Sequence, residues 1–240
     1  EAGAEELKQY VMHELVLEQK STEDDLEKPL SVAYRQGVRY HKEYERVLSE
    51  PAQGDQLPVT SEGVYLVTGG LGGVGMVHAK ALASLKAKLV LIQRREFPAE
   101  EQWQSILADT TTDSFDHATL VQQIKEVLEL KELGADITVA IADVCDKSQL
   151  GDVIETVRDK YGAINGVIHC AGQGDYVSIA ETSKTVIQKV LAPKVIGTMN
   201  LLSLLENDTL DVVLLCSSMS VQTTGYGLVG YVSACAFLDA

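Results

Sequence analysis

The sequence has few basic residues for its length. Its 240 residues include 20 Lys and Arg against 35 Asp and Glu, which gives a formal net charge of −15 at pH 7. Such a negative net charge argues against nucleic acid or an anionic membrane surface as the main partner, and a local basic patch is the alternative. We therefore expect neither nucleic-acid binding nor membrane binding.

Long apolar runs and a signal peptide are also lacking. No run of about 18 apolar residues occurs, so no segment is expected to span a bilayer. The first residues, Glu1 to Glu6, have neither the basic start nor the apolar core of a signal peptide. Apolar residues make up 45% and charged residues 23%, which excludes wholesale disorder and fits one large domain, or one domain with an appended piece.

The four cysteines form no recognisable pair or cluster in the sequence. No CxxC occurs, and no histidine and cysteine residues have metal-ligand spacing. We therefore predict no metal site, and we interpret Cys145, Cys170 and Cys216 as small buried apolar side chains. Free thiols of this kind favour a reducing cytoplasm as the compartment.

From residue 63 onward, apolar strand-like segments alternate with segments of helical period. Strands that are apolar throughout indicate a parallel sheet covered on both faces, which is the doubly wound, Rossmann-type α/β fold. The segment around Trp103 is expected to be irregular. The predicted strands are 64–68, 88–93, 136–141, 166–169 and 210–216, and the predicted helices are 74–86, 118–133, 150–161, 185–205 and one that starts near Tyr231.

The beginning of the chain follows a different pattern. A helix-like segment, 5–20, precedes two short alternating segments, 30–35 and 38–41, and residues 49–55 have the composition of a linker. We therefore predict a short α+β piece with its linker over residues 1–58, followed by the doubly wound domain over residues 59–240.

A glycine-rich segment joins the first strand of the larger domain to its first helix. It reads Thr68-Gly69-Gly70-Leu71-Gly72-Gly73-Val74-Gly75. Glycines at such a turn let the backbone approach a pyrophosphate, and the helix N-terminus offers N–H groups and a positive dipole end. The pattern predicts a dinucleotide-binding loop, with a glycine turn that binds no ligand as the alternative.

The residues after the second and third strands indicate which dinucleotide is bound. Arg94 and Arg95 follow the second strand, where an NAD-binding fold places an acidic residue. Arginine suits a 2′-phosphate, so the two arginines favour NADPH over NADH. The alternative is that Arg94 and Arg95 are solvated surface residues. Asp143 and Val144 follow the third strand, where a carboxylate can accept from the adenine amino group, although aspartate there is also a common helix cap.

The chain resembles the ketoreductase domains of modular polyketide synthases, in the short-chain dehydrogenase/reductase superfamily. Residues 32–40 resemble the closing strands of that family's truncated structural subdomain. The resemblance covers most of residues 30–240, and both ends of the chain look incomplete against the family. The segments that carry it in the larger domain are 65–75, 142–144, 166–172 (with Ala171 and Gly172 in the cofactor site), 192–198 and 231–240.

The resemblance implies a reaction and three catalytic residues. The family uses NADPH to reduce a β-ketoacyl chain held as a thioester on an acyl carrier protein, beside other synthase domains. Tyr231 matches the proton donor, Ser218 the residue that hydrogen-bonds the carbonyl oxygen, and Lys194 the lysine. A neighbouring ammonium group favours the ionised form of a tyrosine, so Lys194 is expected to bias Tyr231 in that direction.

Cys235 departs from the family pattern. It stands where the family has a catalytic asparagine, and a thiol is only a weak hydrogen-bond donor and acceptor. Residues 231 and 235 share a helix face, so Cys235 is still expected to line the active site. Asp175 resembles the central aspartate of one stereochemical class, whereas both of its neighbours differ.

Two alternative functions stay open at this point. The cysteine at 235 favours a catalytically silent, ketoreductase-like scaffold domain of a megasynthase. A free-standing reductase of small ketones is the other alternative, and the segment before residue 58 argues against it.

Overall fold

The computed structural model describes residues 3–20, 32–47, 59–112, 114–174, 176–223 and 225–240. The chain divides into two compact units, Glu1–Asp55 and Gln56–Ala240. Three of our sequence predictions fall on positions outside the described residues, namely the linker 49–55, the first two residues of the segment 30–35, and Asp175.

The described residues of the first unit form one helix and a hairpin. Helix α1 spans Ala4–Lys20, and strands β1 (Val32–Arg35) and β2 (Val38–His41) pair antiparallel. The two turn residues between the strands have φ angles of 51° and 76°, as a two-residue hairpin turn requires. The Arg39 guanidinium donates to both carboxylate oxygens of Glu14, at 2.7 and 2.9 Å, and thereby joins β2 to α1.

The second unit is built on a five-stranded parallel sheet with the order β5-β4-β3-β6-β7. Among the described helices, none combines the length and apolar content needed to cross a membrane. The strands are β3 Val64–Thr68, β4 Lys88–Gln93, β5 Asp136–Ile141, β6 Gly166–His169 and β7 Val212–Leu215. The helices are α2 Gly73–Ala83, α3 Glu100–Ala108, α4 Phe115–Glu132, α5 Lys147–Tyr161, α6 Lys184–Leu204, α7 Ser220–Thr223 and α8 Val229–Leu238.

Alternate residues of the central strand β3 face two separate cores. Tyr65 and Val67 pack in the layer that contains the buried faces of α2 and α4, whereas Val64 and Leu66 pack in the layer of α5 and α6. Because successive side chains of a strand point to opposite faces, a strand buried on both sides needs apolar residues toward both, and residues 64–67 supply them. The prediction of a doubly wound parallel sheet is confirmed.

The structure corrects the expected irregular segment around Trp103. This tryptophan lies in helix α3, is buried, and donates from Nε1 to the Pro98 carbonyl at 2.9 Å. The acidic residues Glu100 and Glu101 occupy the first turn of α3, where the helix dipole favours negative charge. Their acidity therefore marks a helix start. The short helix α7 was not expected either.

Candidate active site

The site lies where the sheet changes winding direction. Strands β3 and β6 are neighbours, and the chain leaves them toward opposite faces through α2 and α6, which opens a crevice at their carboxyl ends. Two cavities of about 370 and 480 Å³ lie in this crevice. Cys170, Gly172 and Gln173 line both of them, so the two cavities adjoin.

The glycine loop is shaped by its own backbone. Gly69 has a φ of +62°, and its N–H donates to the Ile92 carbonyl at 2.8 Å. A Cβ on Gly75 would lie 2.3 Å from the Gly69 carbonyl oxygen, and a Cβ on Gly70 would lie 2.8 Å from that of Val67. By contrast, a Cβ on Gly73 would meet no atom within 4 Å. Two glycines therefore let the loop fold, whereas Gly73 faces open space at the start of α2.

The smaller cavity collects most of the predicted cofactor residues. Thr68, Gly70, Gly73 and Gly75 do not line it, and Val74 lines the larger cavity instead. The predicted residues that line the smaller cavity are Gly69, Leu71, Gly72, Arg94, Arg95, Asp143, Val144, Ala171 and Gly172.

Arg94 and Asp143 lie next to each other on the wall of the smaller cavity. The Arg94 side chain is 65% exposed, and its nearest guanidinium nitrogen lies 4.0 Å from an Asp143 carboxylate oxygen. Asp143 accepts from the backbone N–H of Cys145, whereas the cap of α5 is Asp146, which accepts from the N–H groups of Ser148 and Gln149 at 3.0 and 3.1 Å. The helix-cap alternative for Asp143 is therefore wrong.

A buried hydrogen-bond chain fixes the floor of the crevice. The Thr68 hydroxyl accepts from the Ala171 N–H at 3.2 Å and lies 2.6 Å from Nδ1 of His169. His169 Nε2 lies 3.0 Å from the Pro193 carbonyl, which can only accept, so Nε2 carries the proton and Nδ1 accepts from Thr68. Burial lowers the pKa of His169 to about 4, so the ring is neutral. These hydrogen bonds connect the end of β3, where the glycine loop begins, to the turn of α6 that carries Lys194.

The proline in α6 also contributes to the wall of the crevice. Pro193 has no N–H, so the carbonyl four residues earlier, that of Lys189, has no helical donor. The side chain of Gln173 supplies that donor at 2.9 Å. The missing helical hydrogen bond at Pro193 is thus replaced by one from Gln173, and this bond positions a residue that lines both cavities. Neither Gln173 nor His169 was predicted as a site residue.

The larger cavity brings the three predicted catalytic side chains together. Lys194, Ser218 and Tyr231 all line it, from α6, from the segment after β7 and from α8. The Lys194 side chain is buried, and its Nζ donates to the Cys216 carbonyl at 2.6 Å. The Ser218 hydroxyl accepts from the Ser220 N–H at 3.1 Å.

The pKa of Tyr231 moves opposite to our expectation. Burial raises it above its usual value, a hydrogen bond with Ser218 opposes the rise, and interaction with the Cys235 thiol adds to it. Lys194 is not among the main causes of this shift, and its ammonium group donates to the Cys216 carbonyl. At neutral pH the Tyr231 hydroxyl therefore keeps its proton.

Comparison with known proteins identifies the larger unit. The family described as KR domain matches residues 63–240. The chain belongs to the KR domain family. Its relatives include the polyketide synthases PksL and PksM of Bacillus subtilis (strain 168). PksL is 33% identical over 246 residues, with 100% of this chain and 5% of PksL covered, and PksM is 34% identical over 202 residues, with 84% and 4% covered.

Solved structures agree with the family. A ketoreductase domain from the bacillaene assembly line is 28% identical with a TM-score of 0.69, and covers 87% of this chain and 44% of that one. The structure of A-type ketoreductases from a modular polyketide synthase is 27% identical with a TM-score of 0.70, and covers 88% and 40%. The resemblance to polyketide synthase ketoreductase domains is thus confirmed. The chain covers only 5% of the length of PksL and 4% of that of PksM.

Cys235 does not line the cavity that holds the predicted catalytic residues, contrary to our expectation. It is fully buried and is not among the described residues that line the larger cavity. Helix α8 packs against α6, and its buried residues are Gly230, Ala234 and Cys235. Cys235 therefore acts on the site through its neighbours: its thiol interacts with Tyr231, and its carbonyl accepts from the Ser217 hydroxyl at 3.2 Å.

The other three cysteines are half-buried, which corrects their interpretation as buried apolar side chains. Two of them meet at the crevice. The sulfurs of Cys170 and Cys216 lie 3.3 Å apart, and the Cys216 sulfur lies 3.9 Å from Nε2 of His78. The hydrogen bond from Cys170 and the nearby imidazole lower the pKa of Cys216 to about 6, whereas the same hydrogen bond raises the pKa of Cys170.

Proposed function

We propose that this KR domain uses NADPH to reduce a β-ketoacyl chain, held as a thioester on an acyl carrier protein, to the β-hydroxyacyl form within a polyketide synthase. The observation that supports this most is the meeting of Lys194, Ser218 and Tyr231 in one cavity. That cavity adjoins the one formed by the glycine loop. Carrier protein and neighbouring synthase domains are the proposed partners, because the relatives are multidomain synthases.

The cofactor cavity has the features that a phosphorylated dinucleotide needs. Gly72 and the open space beside Gly73 leave room for a pyrophosphate at the N-terminus of α2, where N–H groups have no helical acceptor. Arg94 and Arg95 would hold the 2′-phosphate, and Asp143 would accept from the adenine amino group. When bound, NADPH supplies a hydride for the ketone carbon.

The catalytic side chains of this chain would manage the proton. Tyr231 donates its hydroxyl proton to the carbonyl oxygen of the substrate, and its raised pKa keeps that proton available at neutral pH. Ser218 hydrogen-bonds the same oxygen and stabilises the negative charge that develops on it. Lys194 adds a buried positive charge at the base of the cavity. The product is the β-hydroxyacyl thioester.

Turnover is the direct test of this proposal. The rate of NADPH oxidation is measured with a β-ketoacyl thioester of a short pantetheine analogue, and the β-hydroxyacyl thioester serves as the matched control. We expect NADPH consumption with the ketone only. Absence of consumption in a protein that binds NADPH would overturn the proposal.

A silent scaffold domain is the second candidate, and Cys235 is the observation that favours it. The thiol replaces the amide at this position and is buried against α6. If the domain is silent, native turnover is absent and Cys235→Asn restores it. Native turnover would eliminate this candidate. A free-standing reductase is disfavoured by the helix and hairpin that precede the sheet.

All four cysteines are free thiols, which supports a reducing cytoplasm as the proposed location.

A further inference from the structure

The sulfurs of Cys170 and Cys216 and an imidazole nitrogen of His78 all lie within 4.8 Å of one another. The three residues come from separate elements: Cys170 directly follows β6, Cys216 directly follows β7, and His78 lies in α2. Because His169 and Leu215 are register partners in the parallel sheet, the residues that follow them are neighbours. The cluster is thus a product of the fold.

The distances suit a tetrahedral metal ion. Zinc binds thiolate sulfur at about 2.3 Å and imidazole nitrogen at about 2.0–2.1 Å, which separates two tetrahedral ligands by about 3.4–3.8 Å. The Cys170–Cys216 sulfur distance is 3.3 Å, and Cys216 Sγ lies 3.9 Å from Nε2 of His78. Side-chain shifts of a few tenths of an ångström would bring both distances to the ideal values.

The site is accessible and leaves one coordination position open. Both cysteines line the larger cavity, and His78 is half-buried. Two thiolates and one imidazole form the soft donor set that selects zinc over magnesium or calcium. Three protein ligands with a solvent molecule as the fourth is a common zinc arrangement.

We propose that His78, Cys170 and Cys216 form a binding site for a thiophilic divalent cation, with Zn²⁺ as the best match. Two of these ligands, Cys170 and Cys216, line the same cavity as the proposed catalytic residues. The proposed reduction itself assigns no role to the three ligand side chains. The proposed metal site replaces our sequence prediction that the chain has no metal site.

Cobalt substitution tests the site directly. The purified, reduced and cofactor-free protein is titrated with Co²⁺, and its absorption spectrum is recorded. We expect one tetrahedral Co²⁺ per chain, with thiolate-to-cobalt charge-transfer bands that Zn²⁺ abolishes. Cys170→Ser and Cys216→Ser should remove those bands, and His78→Gln should weaken Co²⁺ affinity at least about tenfold. Cys145→Ser is the matched control and should change nothing.

A second measurement needs no variant and covers the case in which a substitution disturbs folding. In the unmodified protein, Zn²⁺ should protect Cys170 and Cys216, but not Cys145, from alkylation, as read by mass spectrometry of peptides. The proposal is overturned if no charge-transfer bands appear in the folded protein, or if Zn²⁺ leaves the alkylation of both cysteines unchanged. A Cys170–Cys216 disulfide that forms while the reduced protein binds no Co²⁺ would likewise overturn it.

Discussion

The crevice has a proposed cofactor half, formed by the ends of β3, β4 and β5, and a proposed catalytic half, formed by the ends of β6 and β7 with α6 and α8. In the cofactor half, backbone contacts require glycine at positions 70 and 75. In the catalytic half, the proposed chemistry depends on side chains, and cysteines stand at 170, 216 and 235. Backbone geometry thus constrains the first half, whereas side-chain substitution can alter the second without altering the fold.

Tyr231→Phe should produce the largest effect, because it removes the proposed proton donor and keeps the ring. Positioned proton transfer contributes about 10²–10⁴ in rate, so kcat should fall by that order while the Kd for NADPH stays nearly unchanged. Steady-state kinetics and fluorescence titration measure the two quantities. Lys194→Ala should lower kcat and also raise the Kd for NADPH, because the Lys194 side chain fills the space beside Gly172, where an added Cβ would lie 3.0 Å from Lys194 Cε, and Gly172 lines both cavities. A Tyr231→Phe variant with most of its activity would remove the tyrosine from the mechanism.

Arg94→Ala probes the cofactor half. Loss of a bidentate charged contact costs about 1.5–3 kcal/mol, so the KM for NADPH should rise roughly 10- to 100-fold. The KM for NADH, which has no 2′-phosphate, is the internal control and should stay constant. Equal affinity of the unmodified protein for both cofactors would count against the assignment of Arg94.

The glycine loop offers a matched pair of substitutions. Gly75→Ala places a Cβ against the Gly69 carbonyl, whereas Gly73→Ala places one in open space. Overpacking of this kind costs about 1–3 kcal/mol, so the free energy of unfolding should fall by that amount for Gly75→Ala and change little for Gly73→Ala. Urea unfolding measures both. Equal stability of the two variants would contradict the described loop.

Cys235→Ala should give the smallest effect. Interaction with the Cys235 thiol raises the pKa of Tyr231, so its removal should lower that pKa. Loss of the tyrosine proton would then begin at a lower pH, and the alkaline limb of the pH–kcat profile should move to lower pH. An unchanged limb would show that Cys235 does not influence Tyr231, and a limb that moves to higher pH would contradict the direction of that influence.

The sheet was predictable from sequence because each of its strands is a local apolar run between helical periods. The glycine loop was predictable for a similar reason: its five glycines lie within seven residues and directly follow a strand. Helix α3 was missed because its acidic first turn resembles a loop in composition. The position of Cys235 was predicted only as a helix face, and the packing of α8 on α6 decided which way that face points.

The cysteine cluster could not be predicted from spacing, because its members are separated by 92 and 46 residues in sequence. One signal was nevertheless available. Cys170 directly follows a predicted apolar strand and Cys216 is the last residue of another, and the ends of adjacent parallel strands meet at one edge of the sheet. The order of strands, which periodicity does not give, was the missing information.

Hydride transfer to the substrate is the measurement that tests the central proposal most directly. The domain is incubated with NADPH that carries deuterium at both C4 positions and with a β-ketoacyl thioester, and the product is examined by mass spectrometry. The account predicts a β-hydroxyacyl thioester with deuterium on the carbon that bears the hydroxyl group. Bound NADPH with no deuterated product would contradict it and leave the silent scaffold as the function of this KR domain.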